Sequence, residues 1–266
     1  MKKIKICKIG HFNHSVDIEK LKKWNSKFFE IVSIETVDYI SVDHFTDNYV
    51  YPNEKINQNI GNDENGIDVK IAVIDQPLIG DFYMHRIGEK KVVISIYRIN
   101  EILNQEKIPI ENFLMTNIYR IVILLYEGYS LINEDVYSLN HHETRRCVFD
   151  MNVFVERVKY SSVNPIICNE CKSRLEKKTL PENFIKIIEK EIGKIRLPLY
   201  YRIENRIKKN PIRYLIATIL FALFLNILAN YIYDFIKPQC EKKNQIELKE
   251  KQEKPLPTTG GLAYWG

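Results

Sequence analysis

The 266-residue sequence carries little net charge for its size, with 39 Lys and Arg against 34 Asp and Glu, a formal +5. Acidic residues are interspersed almost everywhere, so there is no extended basic stripe of the kind that tracks a phosphate backbone, and nucleic acid is not expected as a partner. The N-terminus "MKKIKICKIGHFNHS" lacks the unbroken apolar run and small-residue cleavage site of an export signal, which argues against export and for a cytoplasmic folded part. Cysteine is scarce too: there are five, with Cys7 and Cys240 isolated, which does not read as a disulfide framework. No internal repeat is evident. What is present is a 45% apolar content, ordinary for a globular chain that can build a core.

The pattern along the chain predicts an α/β architecture. "KIKICKI" alternates apolar and polar residues as a strand does. A helix is expected next, with Ser15 or Asp17 as caps and Ile18, Leu21, Trp24 and Phe28 on one stripe. "EIVSIETVDYISV" returns as a strand, and the polar "YPNEKINQNIGNDENG" reads as a surface loop. "DVKIAVID" and "KKVVISIY" are further strands, joined through a turn-rich connection containing Pro77, Gly80 and Gly88. "IPIENFLMTNIYRIVILLYEG" is apolar nearly all round, as a buried helix is, and ends near Gly128. In "TLPENFIKIIEKEIGKI", Thr179 and Glu182 form a capping box before an apolar stripe of Phe184, Ile185, Ile188 and Ile192.

A long hydrophobic run, "YLIATILFALFLNILANYIYDFI" from Tyr214 to Ile236, has the length and composition of a transmembrane helix with tyrosines near its ends. Asn226, Asn230 and Asp234 fall on one row and suggest self-association with a partner helix. Seven Lys or Arg precede the run between Lys194 and Tyr214, and Lys237, Lys242, Lys243, Lys249 and Lys251 follow it, a narrow excess that places the N-terminal side in the cytoplasm. The tail is charged and then rich in Pro, Gly and Thr, so disorder is expected there. Its "LPTTG", Leu256 to Gly260, matches a surface-sorting pentapeptide, but the hydrophobic span precedes it, and we read the match as chance or a cloning remnant. The expected division is a zinc-binding domain over 1–178, an amphipathic helix and basic linker over 179–213, a span over 214–236 and a tail over 237–266.

The chemistry-bearing stretch is "HHETRRCVFDMNVFVERVKYSSVNPIICNEC". Zinc takes four ligands in a tetrahedron, and a C-x-x-C knuckle supplies two thiolates from one turn, here Cys168 and Cys171. Cys147 and His142 complete a set of one imidazole and three thiolates. With four protein ligands no position remains for water, so the expected zinc is structural rather than catalytic. His141 is left open between a fourth ligand, a ligand of a second metal and a surface residue. Arg145 and Arg146 either offset the thiolate charge or are solvated loop residues.

These residues resemble the archaemetzincins, zinc metallopeptidases of the metzincin type. That pattern is a strand, a helix carrying HExxHxxGxxH, a Cys directly after the third His, then x4-C and a later C-x-x-C. "KIAVIDQPLIGDFYMHRIGEKKVVISIYRI" is similar to the segment before the helix, and "HHETRRCVFD…CNEC" to the segment after it. The resemblance implies a metzincin-like mixed sheet with flanking helices. It also puts His141 at the third catalytic His and His142 at the first structural Cys, with Cys147, Cys168 and Cys171 at the rest. The helix itself, "NIYRIVILLYEGYSLINEDVYSLNHH", has no histidine before His141. Two of three catalytic ligands are missing, and Glu127 would be a general base with no metal-bound water to activate.

Three functions follow as expectations. The first is a membrane-anchored, noncatalytic, zinc-stabilised module that binds a peptide, protein or small ligand in the degenerate cleft, for sensing or defence signalling. The second is a metallohydrolase with an unorthodox site drawn from His141, His85, Asp81 and Glu127. The third is an effector that perturbs the membrane through Asn226, Asn230 and Asp234.

Overall fold

β-branched residues crowd four short segments, and in the computed structural model these pair, with a fifth segment along one edge, into one mixed sheet. The structure describes residues 1–12, 16–38, 50–132 and 139–252. The strands are β1 (Lys2–Ile9), β2 (Phe29–Val37), β3 (Val69–Ile74), β4 (Met84–Gly88) and β5 (Lys91–Ser95), in the order β2-β1-β3-β5-β4. β1, β2, β3 and β5 run parallel, and β4 pairs antiparallel to β5 along one edge. β3, "VKIAVI", is buried at all six positions, as a strand covered on both faces must be.

The pleat sends alternate residues to two different cores. On one face Ile4, Ile6, Val69, Ile71, Val73, Val92 and Ile94 meet α3 (Ile99–Gln105) and the long α4 (Ile110–Tyr126). On the other, Cys7, Ala72, Ile74 and Val93 pack with Ile56 and Ile60 of α2 (Asn53–Asn59) and its C-cap. The same second face carries Lys5, Lys70 and Lys91 side by side, since Lys5 pairs with Lys70 and Lys70 with Lys91 across the ladder. Their ammonium groups are collected by α2, where Lys91 donates to Asn57 at 2.8 Å, and by the segment after it. Lys5 and Lys70 both reach Glu64, at 2.8 and 2.7 Å, and Lys70 also donates to the carbonyls of Ile60 and Asn62. A buried lysine is tolerated only when paired in this way.

The expected α/β architecture with flanking helices is what the structure shows, with several local corrections. α1 (Glu19–Lys22) is a single turn, although Ile18, Leu21 and Phe28 do face the core. Ser15 lies outside the described residues, and Asp17 makes no side-chain cap. The "surface loop" over 51–66 contains α2, whose one buried apolar residue, Ile56, is too weak a periodic signal to announce a helix. The turn-rich connection between β3 and β5 contains β4, a half-buried edge strand without clean alternation.

After α4 come α5 (Val158–Ser161), α6 (Asn169–Glu176) and α7 (Phe184–Ile192). The expected capping box at Thr179 does not form: α7 starts later, from Asn183 in the left-handed conformation at φ 56°, because Pro181 interrupts the run. The helix ends at Gly193 as expected. Phe184, Ile188 and Ile192 join the main core, and Phe184 packs edge-on against Phe28 at 4.6 Å. Buried Glu191 accepts from the Ser26 hydroxyl at 2.7 Å, the Lys27 amide at 2.9 Å and the Tyr119 hydroxyl at 2.8 Å. The first compact unit runs from Met1 to Tyr201.

The second unit, Arg202–Gly266, contains most of α8 (Leu199–Lys209) and all of α9 (Pro211–Gln252). Within α9, Pro211–Tyr233 is long and apolar enough to cross a membrane, and none of it is buried. Helix continues through Gln252, where disorder was expected from 237. The Glu, Lys and Gln residues there are good helix formers, and helix propensity outweighs their inability to build a core. The "LPTTG" stretch and the side chains of Asp234 and Cys240 lie outside the described residues.

Candidate metal centre

Four donors converge from three segments: His141, Cys147, Cys168 and Cys171, all within 4.8 Å of one another. The C-x-x-C pair sits at the start of α6, with Cys168 as its N-cap residue and Cys171 in the first turn. A helix N-terminus presents free amides and the positive end of the dipole, an environment that favours thiolates. The other two donors ride on a looped segment held by isolated bridges. His141 pairs with Asp150 and Cys147 with Ile166, so that the Val148 amide donates to Ile166 and the Ile166 amide to Arg146. Inside that loop the Asp150 carboxylate accepts from the amides of Arg145 and Cys147, at 2.8 and 2.9 Å.

The distances fit a tetrahedral ion. Zn–S bonds of about 2.3 Å give a tetrahedron with an S–S edge of about 3.8 Å. Cys147 Sγ and Cys171 Sγ are 3.8 Å apart. His141 Nε2 is 3.1 Å from Cys171 Sγ and 3.2 Å from Cys168 Sγ, a slightly compressed edge. Three soft thiolates with one imidazole are a donor set that zinc prefers. The contact with Cys171 holds the Cys147 thiol down to about 5, and the same contact with burial pushes Cys171 upward. A zinc ion held by the four donors would tie the 141–150 loop to α6.

The imidazole that meets the three thiols is that of His141, where His142 was expected. His141, in its isolated bridge to Asp150, is turned inward and 8% exposed, while His142, on the bend that follows, faces solvent. Cys147, Cys168 and Cys171, also named from the sequence, are the other three donors of the group. Arg145 and Arg146 do not face the sulfurs: Arg145 pairs with Glu170 at 2.8 Å, and Arg146 donates to the carbonyls of Val163 and Asn164.

Two residues that the sequence reading did not single out organise the site. Arg174, one helical turn after Cys171, has Nη1 3.9 Å from Cys171 Sγ and stacks its guanidinium 4.5 Å from the Phe149 ring centre. It also holds the Glu127 carboxylate in a two-point ion pair. Arg120, buried in the middle of α4, donates to the carbonyls of Val148 and Asp150 and to the Tyr83 hydroxyl at 3.0 Å. The helical spacing of Arg174 from Cys171 was a usable signal; for Arg120 the sequence offers none.

The residues considered for an unorthodox hydrolytic site are not brought together. His141 is with the thiols and Glu127 with Arg174. His85 lies on β4, with Nδ1 3.0 Å from Asn53 Oδ1 and its pKa lowered by burial. The Asp81 side chain is 79% exposed, at the end of a single 3-10 turn, Ile79–Asp81, and not on an α-helix with His85. Beside His85 a cavity of about 190 Å³ runs along β4, lined by Tyr83, Met84, Arg86, Arg120, Leu124 and Met151 among others.

Solved structures similar to this chain include the archaemetzincin of Methanopyrus kandleri, with a TM-score of 0.38 and 14% identity over 65% of this chain and 94% of that one. A second is the archaemetzincin of Archaeoglobus fulgidus complexed with malonate, with a TM-score of 0.36 and 18% identity over 65% of this chain and 99% of that one. No protein-family model matches the chain, and no curated protein matches it. At these scores the fold rests on the sheet order and helix packing described above.

Proposed function

We propose that the chain is a membrane-anchored, noncatalytic binding module whose zinc is structural and whose cleft along β4 takes an extended peptide. The observation that carries this reading is the donor set: three thiolates and one imidazole fill the four corners of a tetrahedral ion, leaving no position for the water that a hydrolytic zinc activates. Two features support it. α4, "IENFLMTNIYRIVILLY", has no histidine, cysteine or carboxylate after Glu111, and it lines the cavity with Arg120 and Leu124. Glu127, the one acid near the end of that helix, is neutralised by Arg174. β4 is an edge strand, and an extended segment can add to such an edge through backbone hydrogen bonds while its side chains enter the adjoining cavity. The Pro211–Tyr233 helix supports membrane anchoring, with the basic excess before it favouring a cytoplasmic N-terminal domain.

Elemental analysis of the purified chain tests the reading. One zinc per chain is expected, retained in His142→Ala and lost in His141→Ala and Cys168→Ser. Cobalt substitution should give the sulfur-to-metal charge-transfer absorption of a tetrahedral thiolate site. A second ion that depends on Glu127, or peptide hydrolysis abolished by Glu127→Gln, would overturn it in favour of a hydrolase.

A further inference from the structure

α8, "LYYRIENRIKK", has no buried residue, yet it is strongly amphipathic. Leu199, Tyr200, Ile203 and Ile207 fall within one narrow arc of the helix and are 63%, 71%, 44% and 42% exposed. Arg202, Arg206 and Lys209 line one side of that arc and Lys208 the other. The single acid, Glu204, is already paired with Lys208 at 2.5 Å. A soluble helix that keeps such a face uncovered needs something to lie against, and its basic borders select for a negatively charged surface.

We infer that α8 lies in the headgroup plane of an anionic phospholipid bilayer, apolar arc inward and arginines among the phosphates. The inference rests on the reading of Pro211–Tyr233 as a membrane span. One residue, Asn210, separates α8 from α9. At 1.5 Å rise per residue, α8 is about 16 Å long, so all of it is tethered within that distance of where the span would enter lipid. Pro211 opens α9, and a residue preceding proline is biased away from helical conformation, so the chain can change direction there. Tethering makes the lipid surface the partner met at the highest local concentration. The arc's small area suits insertion to the depth of the acyl boundary, and the flanking arginines and lysine gain from anionic lipid while a neutral surface gives them little.

The test is amide hydrogen exchange of the full chain in nanodiscs. Residues 199–209 are expected to exchange about tenfold or more slowly in discs with about 30 mol % phosphatidylglycerol than in pure phosphatidylcholine. High salt should weaken that protection. Arg202→Gln with Arg206→Gln and Lys209→Gln should remove the lipid dependence, and Ile203→Ser with Ile207→Ser should remove protection in both lipids. Equal exchange of the parent chain in the two lipids overturns the inference without reference to any variant. Protection that grows with protein density at fixed lipid composition identifies a second copy as the occupant and overturns it as well. Alkaline carbonate extraction separates the two failures. Release from the membrane overturns the span and this inference together, whereas retention with equal exchange overturns only this one.

Discussion

Arg174 closes on Glu127 through two hydrogen bonds, Nε to Oε1 at 3.0 Å and Nη2 to Oε2 at 3.2 Å, and so fastens the end of α4 to the helix that carries the C-x-x-C pair. The Glu127 side chain is wholly buried and that of Arg174 is 20% exposed. Removing one partner leaves the other charge desolvated and alone. Glu127→Ala should therefore destabilise residues 1–201 by about 3 kcal/mol in a urea titration, and Glu127→Leu with Arg174→Met should recover part of that loss. A cost under about 1 kcal/mol would mean that the pair behaves as a surface ion pair.

Metal removal should act on the same region. A zinc ion held by His141, Cys147, Cys168 and Cys171 would join the 141–150 loop to α6, and ligation is coupled to folding. A strong chelator should lower the melting temperature and release the amides of 141–150 and 169–176 to exchange first. Zinc retention should fall as the solution is acidified, because protons compete for the three thiolates. A chelator-insensitive melting curve would contradict the site.

The lysine row on β1, β3 and β5 predicts a dependence on pH at both ends. Hydrogen bonds from Lys5 and then Lys70 hold the Glu64 carboxyl down to about 2, from an ordinary value of 4.5. A depressed acid contributes stability that is complete above its unfolded pKa and is lost as pH falls through the folded one, here between 4.5 and 2. Lys5 is pushed up to about 12 by Glu35 and Glu64, so its contribution is complete below 10.5 and is lost as pH rises toward 12. Glu64→Gln should flatten the acid limb of stability against pH by lowering the neutral plateau by the same amount, a small change given how exposed Glu64 is.

Tyr119, Glu191 and Trp24 form a buried relay: Trp24 Nε1 donates to the Tyr119 hydroxyl at 2.7 Å, which donates to Glu191 at 2.8 Å. Burial raises the Tyr119 phenol well above its usual range, so it should stay protonated through an alkaline ultraviolet titration of the folded protein. Glu191→Leu should leave Ser26, the Lys27 amide and Tyr119 short of an acceptor, at a cost of about 2 kcal/mol. It should loosen α7 first, read as faster exchange over 184–192. Uniform loosening of the whole unit would show that α7 is not separately fastened by this carboxylate.

Much of this protein is written in its linear pattern. Alternating β-branched residues announce β1, β3 and β5, a nearly all-apolar run announces α4, and an uncharged run announces the Pro211–Tyr233 helix. Cys168 and Cys171 declare a knuckle because two thiols three positions apart meet in one turn of any helix N-terminus. These are local matters, settled by periodicities of two and of 3.6 residues. Other features depended on which way a side chain faces once distant segments meet. His141 and His142 are chemically identical neighbours, and only the bridge to Asp150 turns one inward to the sulfurs. Glu127 looked like a spare base until α6 delivered Arg174 to it, and β4 became a strand only because β5 lay alongside. Sequence patterning determined the elements and the ligand chemistry. Tertiary packing decided which histidine faces the thiols and which acid is spent in an ion pair, because both depend on contacts between residues far apart in the chain.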